Sequence, residues 1–139
     1  MTWNKPFSEQ WLKDGLKKVI GEGGTSQDWG GEKNGLFSTR FRLNGKRISV
    51  AFGLKGRATK EPLVPKKMGK RGDQIQRLMA SDADVFLVQF WGQIDESVIE
   101  QMRTFAIVKS WSQRKQILYG IIDGQDTRRI MAAYKKYFP

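Results

Sequence analysis

Apolar positions along this chain repeat with two different periods, and the places where the period changes predict its elements. Within residues 9–20, Leu12, Leu16 and Val19 share one helical face, Trp11 and Ile20 widen it, and Lys13, Lys17 and Lys18 fall on the wet side. Ser8 fits the N-cap of that helix and Gly21 its C-terminal stop. The period then drops to two. Phe37, Thr39, Phe41 and Leu43 alternate with polar residues, as do Ile48, Val50, Phe52 and Leu54, and Asn44-Gly45 lies between the runs. That dipeptide readily takes positive φ at both positions, which predicts a two-residue type I′ hairpin. An uninterrupted register would set Leu43 opposite Lys46, Phe41 opposite Ile48, Thr39 opposite Val50 and Phe37 opposite Phe52, with Asn34 opposite Lys55 and Leu36 opposite Gly53.

Residues 56–72, punctuated by Pro62 and Pro65, read as a long basic loop, and Asp73 to Met79 as a helix. Val85–Trp91 and Gln116–Ile122 are unbroken apolar runs, which suits strands buried on both faces. Between them Asp95 caps a helix with Val98, Ile99, Met102, Phe105 and Ala106 inward. Asp126 or Thr127 caps a last helix with Ile130, Met131, Ala133, Tyr134 and Tyr137 inward. The sum is an α/β fold bordering on α+β. It has a mixed sheet of about four strands built from a hairpin and a βαβ crossover, with helices on both faces, as a single domain over residues 1–139.

Charge narrows the choice of partner. The chain carries 25 Lys and Arg against 14 Asp and Glu, a net +11. An excess of that size in one domain favours a polyanion, nucleic acid first, through release of condensed counterions. The lysines and arginines concentrate after the hairpin, at Lys55, Arg57, Lys60, Lys66, Lys67, Lys70, Arg71 and Arg77. Arg40 and Arg42 are expected on the same hairpin face as Lys55, extending the patch across the sheet. Trp29, in the glycine-rich stretch 21–31, is placed to stack on a base. No apolar run has the roughly 18 to 20 residues a bilayer crossing needs, so no membrane contact is expected. With no secretory pattern and no cysteine, a cytoplasmic location is expected. A homodimer or an acidic partner protein is the other use for a basic face.

The chain has no histidine and no cysteine, which excludes Ser-His-Asp and Cys-His chemistry and any metal site built on nitrogen or sulfur side chains. Catalysis would have to rest on carboxylates, lysine or hydroxyls around an oxygen-ligated Mg²⁺ or Mn²⁺. A helix, a hairpin whose second strand ends in Phe52-Gly53-Leu54-Lys55, and then a helix and a further strand resemble the PD-(D/E)XK, restriction-endonuclease-like, nuclease superfamily over residues 8–92. The resemblance implies DNA binding and Mg²⁺-dependent phosphodiester hydrolysis with Lys55 beside the metal. Where the family has acids, this chain has Gly53 and Asn34-Gly35, so its acidic motif is degenerate or has migrated. Migrated ligands would be Asp28, Glu32 and Asp73, with Lys55, Glu32, Asp73 and Gln74 forming the catalytic group. A degenerate motif would leave an inactive nucleic-acid-binding or assembly module on the same fold.

Overall fold

The structure, a computed structural model, describes residues 9–21, 35–55, 62–68 and 72–138. Helix α1 (Glu9–Ile20) is followed by strands β1 (Gly35–Leu43) and β2 (Lys46–Lys55), a 3₁₀ turn at Pro65–Lys67, and helix α2 (Gln74–Met79). Strand β3 (Val85–Phe90), helix α3 (Glu96–Gln113), strand β4 (Leu118–Ile122), helix α4 (Gly124–Ala133) and a second 3₁₀ turn at Lys135–Tyr137 complete it. The four strands form one sheet in the order β1-β2-β3-β4. β1 and β2 are antiparallel, while β2, β3 and β4 run parallel, joined by crossovers through α2 and α3. The mixed α/β sheet with helices on both faces is as the periodicity predicts.

Each face of the sheet has its own core. Ala51, Phe86, Val88 and Phe90 pack beneath Ile75, Leu78 and Met79 of α2 and Val98, Met102 and Ala106 of α3. On the other side Leu36, Val50, Phe52 and Leu54 meet Leu12 and Leu16 of α1, Met131 of α4 and Phe138. The dihedrals of the hairpin turn, φ 53° at Asn44 and 79° at Gly45, fit the type I′ geometry. Gly21, with φ 87°, ends α1 by donating its N–H to Lys17 O at 3.0 Å.

The uninterrupted register does not hold. Leu43–Lys46 and Phe41–Ile48 pair as expected, but a bulge between Ser38 and Phe41 moves the rest by one residue. Ser38 then pairs with Val50, Phe37 with Ala51, Leu36 with Phe52 and Gly35 with Gly53. The extra residue turns Leu36 into the α1 side and Phe37 to the α2 side over the small Ala51, so that both faces of β1 find cover. Ser38 Oγ braces the bulge by accepting the Arg40 N–H at 3.1 Å.

Other expectations are corrected in the same way. Lys13, expected on the wet side, is buried at 7% exposure, and on the other side of α1 Gly15 lets Phe138 lie against the helix beside Trp11, at 5.4 Å between ring centroids. The segment before α2 is no free loop. Leu63 forms a parallel bridge with Ile94, and Leu63 and Met68 are both buried. β4 is an edge strand, half-exposed along its length, rather than covered on both faces. Asp123, three to four residues earlier than expected, caps α4 in a reciprocal box with Asp126. Ala133 and Tyr134 face solvent where the helix gives way to the 3₁₀ turn.

Candidate functional site

Three parallel strands ending together create one edge where their carboxyl termini meet the starts of the connecting segments. Lys55 ends β2 there, paired with Phe90. Strand alternation puts it on the face of Ala51, the α2 and α3 side, and it is half-buried. Gln89, one position back on β3, pairs with Leu54 and therefore faces α1 and α4. Its Nε2 donates to Thr127 Oγ1 at 3.1 Å, and that hydroxyl donates to Asp123 O at 2.7 Å. Gln89 thus ties β3 to α4 on the side away from Lys55.

Gln74 lies on the Lys55 side. The segment leading to it is pinned at the same edge, where Leu63 N–H donates to Gln93 O and Leu63 O accepts from Asp95 N–H, both at 2.9 Å. Gln74 N–H then donates to Met68 O at 3.1 Å, so α2 begins near the carboxyl edge. Its far end lies toward the amino edge, where Lys109 Nζ donates to Met79 O at 2.8 Å and Ser81 O at 2.5 Å. Gln74 is 2% exposed, and its Oε1 has no hydrogen-bond partner among the described residues. A buried amide oxygen left unpartnered costs about 1–3 kcal/mol. Gln89 Oε1 and Gln101 Oε1 are likewise buried without a partner among the described residues, and such a group can take its bond from an ordered water or from a ligand.

The cations around this edge are Lys55, the exposed Lys66 and Lys67, and Arg77. Arg77 Nε lies 3.5 Å from Asp73 Oδ1. Gly72, at φ 68°, brings the chain back against the Lys66 backbone, where an added Cβ would lie 3.1 Å from Lys66 Cα. Of the expected metal ligands only Asp73 is described, and it is paired with Arg77. Asp28 and Glu32 lie outside the described residues, as do Ser8, Trp29, Asn34, Arg57, Lys60, Lys70 and Arg71. Among the described residues no cluster of three acids is placed to hold a cation.

The expected continuity of the hairpin arginines with Lys55 also changes. Arg42 pairs with Arg47, on the Lys55 face, but at the opposite end of β2. Eight residues at roughly 3.3 Å each separate Arg47 from Lys55 by about 26 Å. Arg40 stands in the bulge, exposed. The cations at the hairpin tip and Lys55 therefore stand at opposite edges of the sheet.

The acids cluster too, and mostly in structural roles. Asp95 accepts from Ser97 N–H at 3.0 Å and from the Ser97 hydroxyl, and these bonds hold its carboxyl below the usual range. Asp123 accepts from Asp126 N–H at 2.9 Å. At the amino edge Lys115 Nζ donates to Asp84 Oδ1 at 2.9 Å, while Ser49 N–H and Oγ each reach Asp84 Oδ2 at 3.1 Å. The Lys115 bond is the main reason that the Asp84 carboxyl titrates below its ordinary value. Comparison with family models, with curated proteins and with solved structures gives no match. No helix among the described residues is long and apolar enough to cross a membrane.

Proposed function

We propose that this chain is a nucleic-acid-binding domain of PD-(D/E)XK-like build that holds the phosphodiester backbone of duplex DNA at the carboxyl edge of β2. One observation carries the reading. A half-buried lysine and a buried glutamine whose Oε1 lacks a partner among the described residues share one face and one edge of the sheet. A lysine is a point donor to phosphate oxygens, and a fixed amide adds geometry to that charge. The net charge of +11 supplies the long-range attraction.

The test is fluorescence anisotropy on a labelled duplex across a salt series, with wild type, Lys55→Ala and Gln74→Met. Wild-type affinity should fall steeply with salt, and Lys55→Ala should reduce the log–log slope by about one, the share of one phosphate contact. Unchanged affinity and slope in Lys55→Ala would refute the site. A parallel incubation of plasmid with Mg²⁺ or Mn²⁺ checks the chemistry. Cleavage that Lys55→Ala abolishes would move the reading to a metal-dependent nuclease.

A further inference from the structure

The second basic group lies at the other end of the sheet and includes the most exposed of the large hydrophobic side chains. Trp111, in the last turn of α3, is 82% exposed, and Val108 and Ile107 beside it are 62% and 48% exposed. The inward stripe of this helix is Val98, Met102 and Ala106, so these three residues form a second apolar face with no cover among the described residues. Immediately after it the chain turns at Arg114, a C-cap with φ 51°. Trp111, Arg114, Lys115 and Gln116 line a shallow surface hollow. Lys115 and Gln116 also line a groove of about 360 Å³ that runs on to Lys46 and Arg47 at the hairpin tip. The two depressions form one strip, from an indole to a cluster of cations.

The charge in this strip is uncompensated. Asp84 is the acid that lines it, and that carboxylate is already taken by Lys115 and Ser49. Lys46, Arg47 and Arg114 make no ion pair among the described residues. Arg47 also stands directly opposite Arg42 across the hairpin, a like-charge cross-strand pair that is unfavourable until an anion enters. A second copy of the chain would bring the same cations against the same patch, at +11 per copy, and self-association is disfavoured. An indole with free access and a trail of unpaired cations suits a different occupant, one that offers a flat π-face and regularly spaced negative charge.

We infer that the strip from Trp111 to the hairpin tip binds single-stranded nucleic acid, an unpaired base stacking on the Trp111 indole while phosphates lie along Arg114, Lys46 and Arg47. The site is distinct from the Lys55 edge and does not depend on it. A base in a duplex is covered on both faces by its neighbours, so an exposed indole selects unpaired bases. Stacking is tolerant of base identity, and no sequence preference is required. Val108, one turn before Trp111, widens the platform, and the Lys115–Asp84 pair fixes the floor of the groove.

The test uses a fluorescein-labelled oligo(dT) and a duplex of equal length, with wild type, Trp111→Phe, Trp111→Ala, the double variant Arg47→Ala/Arg114→Ala, and Lys55→Ala. Trp111→Ala should weaken oligo(dT) binding about tenfold, within the range for loss of one stacked base. Trp111→Phe should keep most of the affinity, and duplex binding should change less than about twofold. The double variant should lower the salt slope for oligo(dT) by roughly 1.4, two contacts at about 0.7 each. Lys55→Ala should leave oligo(dT) binding intact, so failure of the Lys55 site and failure of this one are read separately. Oligo(dT) affinity unchanged in Trp111→Ala would overturn the inference. So would a wild-type dimer in sedimentation that Trp111→Ala converts to monomer, because the patch would then be a protein interface. Trp111 and Arg114 are exposed, so their replacement is not expected to unfold the chain.

Discussion

Replacing Gln74 by methionine separates a functional amide from a structural one, because the two readings predict opposite signs for stability. The side chain is 2% exposed, and its Oε1 finds no partner among the described residues. Methionine keeps the unbranched shape and nearly the volume, so repacking should cost less than about 1.5 kcal/mol. Against that stands the relief of a desolvated acceptor, about 1–3 kcal/mol. The expected balance is a gain of about 1 kcal/mol, roughly a fivefold change in the folded-to-unfolded ratio. Urea denaturation reads it directly. With a slope near 2 kcal/mol/M, the midpoint should rise by about 0.5 M with the slope unchanged. Duplex affinity should fall in the same variant, the pattern of a polar group kept for its ligand at the expense of stability.

Gln89 provides the control. It is equally buried, but on the α1 and α4 side, where its Nε2 donates to Thr127 Oγ1 while its Oε1, like that of Gln74, has no partner among the described residues, so the two differ in their place on the sheet and not in the state of the oxygen. Gln89→Met should leave duplex affinity unchanged, and Thr127 Oγ1 retains its bond to Asp123 O. A fall of more than about 1 kcal/mol for Gln74→Met, with DNA binding intact, would refute the reasoning: the amide would then be a core contact, and the Lys55 edge would lose its second member.

Three further outcomes follow from the packing. Gly124→Ala should destabilise by about 1–3 kcal/mol in urea denaturation, since a Cβ there would lie 2.1 Å from Trp91 O and the buried Trp91 backbone has little room to withdraw. Lys109→Met should cost about 1–2 kcal/mol, because it strips the ammonium from Met79 O and Ser81 O at the end of α2, and unfolding midpoints should show it without change in nucleic-acid binding. The Asp84 carboxyl has a folded pKa below its unfolded one. Its contribution is therefore complete above the unfolded pKa, near 3.9, and lost as pH falls through the folded value. Midpoints of wild type and Asp84→Asn should converge on acidification; a gap that stays constant down to about pH 2 would contradict the linkage.

What was legible in the sequence was whatever depends on a single face. The α1 stripe, the Asn44-Gly45 turn, the Asp95 cap and the two apolar runs each follow from local periodicity or local dihedral preference, and all appear in the fold. The register beyond Phe41 was not legible, because alternation assumes one buried face and β1 begins by burying two. Phe138 was invisible for a related reason: no periodicity announces a lone aromatic after a helix, and only Gly15 on α1 makes room for it. Lys55 and the start of α2 at Gln74 were found from the strand end and the helix start, although the absence of an Oε1 partner needs three dimensions. The exposure of Trp111 was not anticipated. Its signal was present, since Ile107, Val108 and Trp111 fall off the stripe of Val98, Met102 and Ala106.

The placement of acids explains why the two edges can act differently. At the carboxyl edge the exits of β3 and β4 carry Asp95, Glu96, Asp123 and Asp126, three of them spent on helix caps. Those carboxylates also complement the positive ends of α3 and α4, and they occupy the place to which a phosphate would otherwise be drawn. The attractive part of that edge is thereby the exit of β2, where Lys55 stands. A polyanion approaching the sheet meets repulsion on one side of Lys55 and attraction on the other, which fixes its position as well as its affinity. At the amino edge the logic inverts. Asp84 is drawn into the floor of the groove by Lys115 and Ser49, and the cations around it are left to the solvent. At that end the acid lining the groove is held in a structural bond and leaves the neighbouring cations unopposed, whereas at the other end four carboxylates stand at the strand exits.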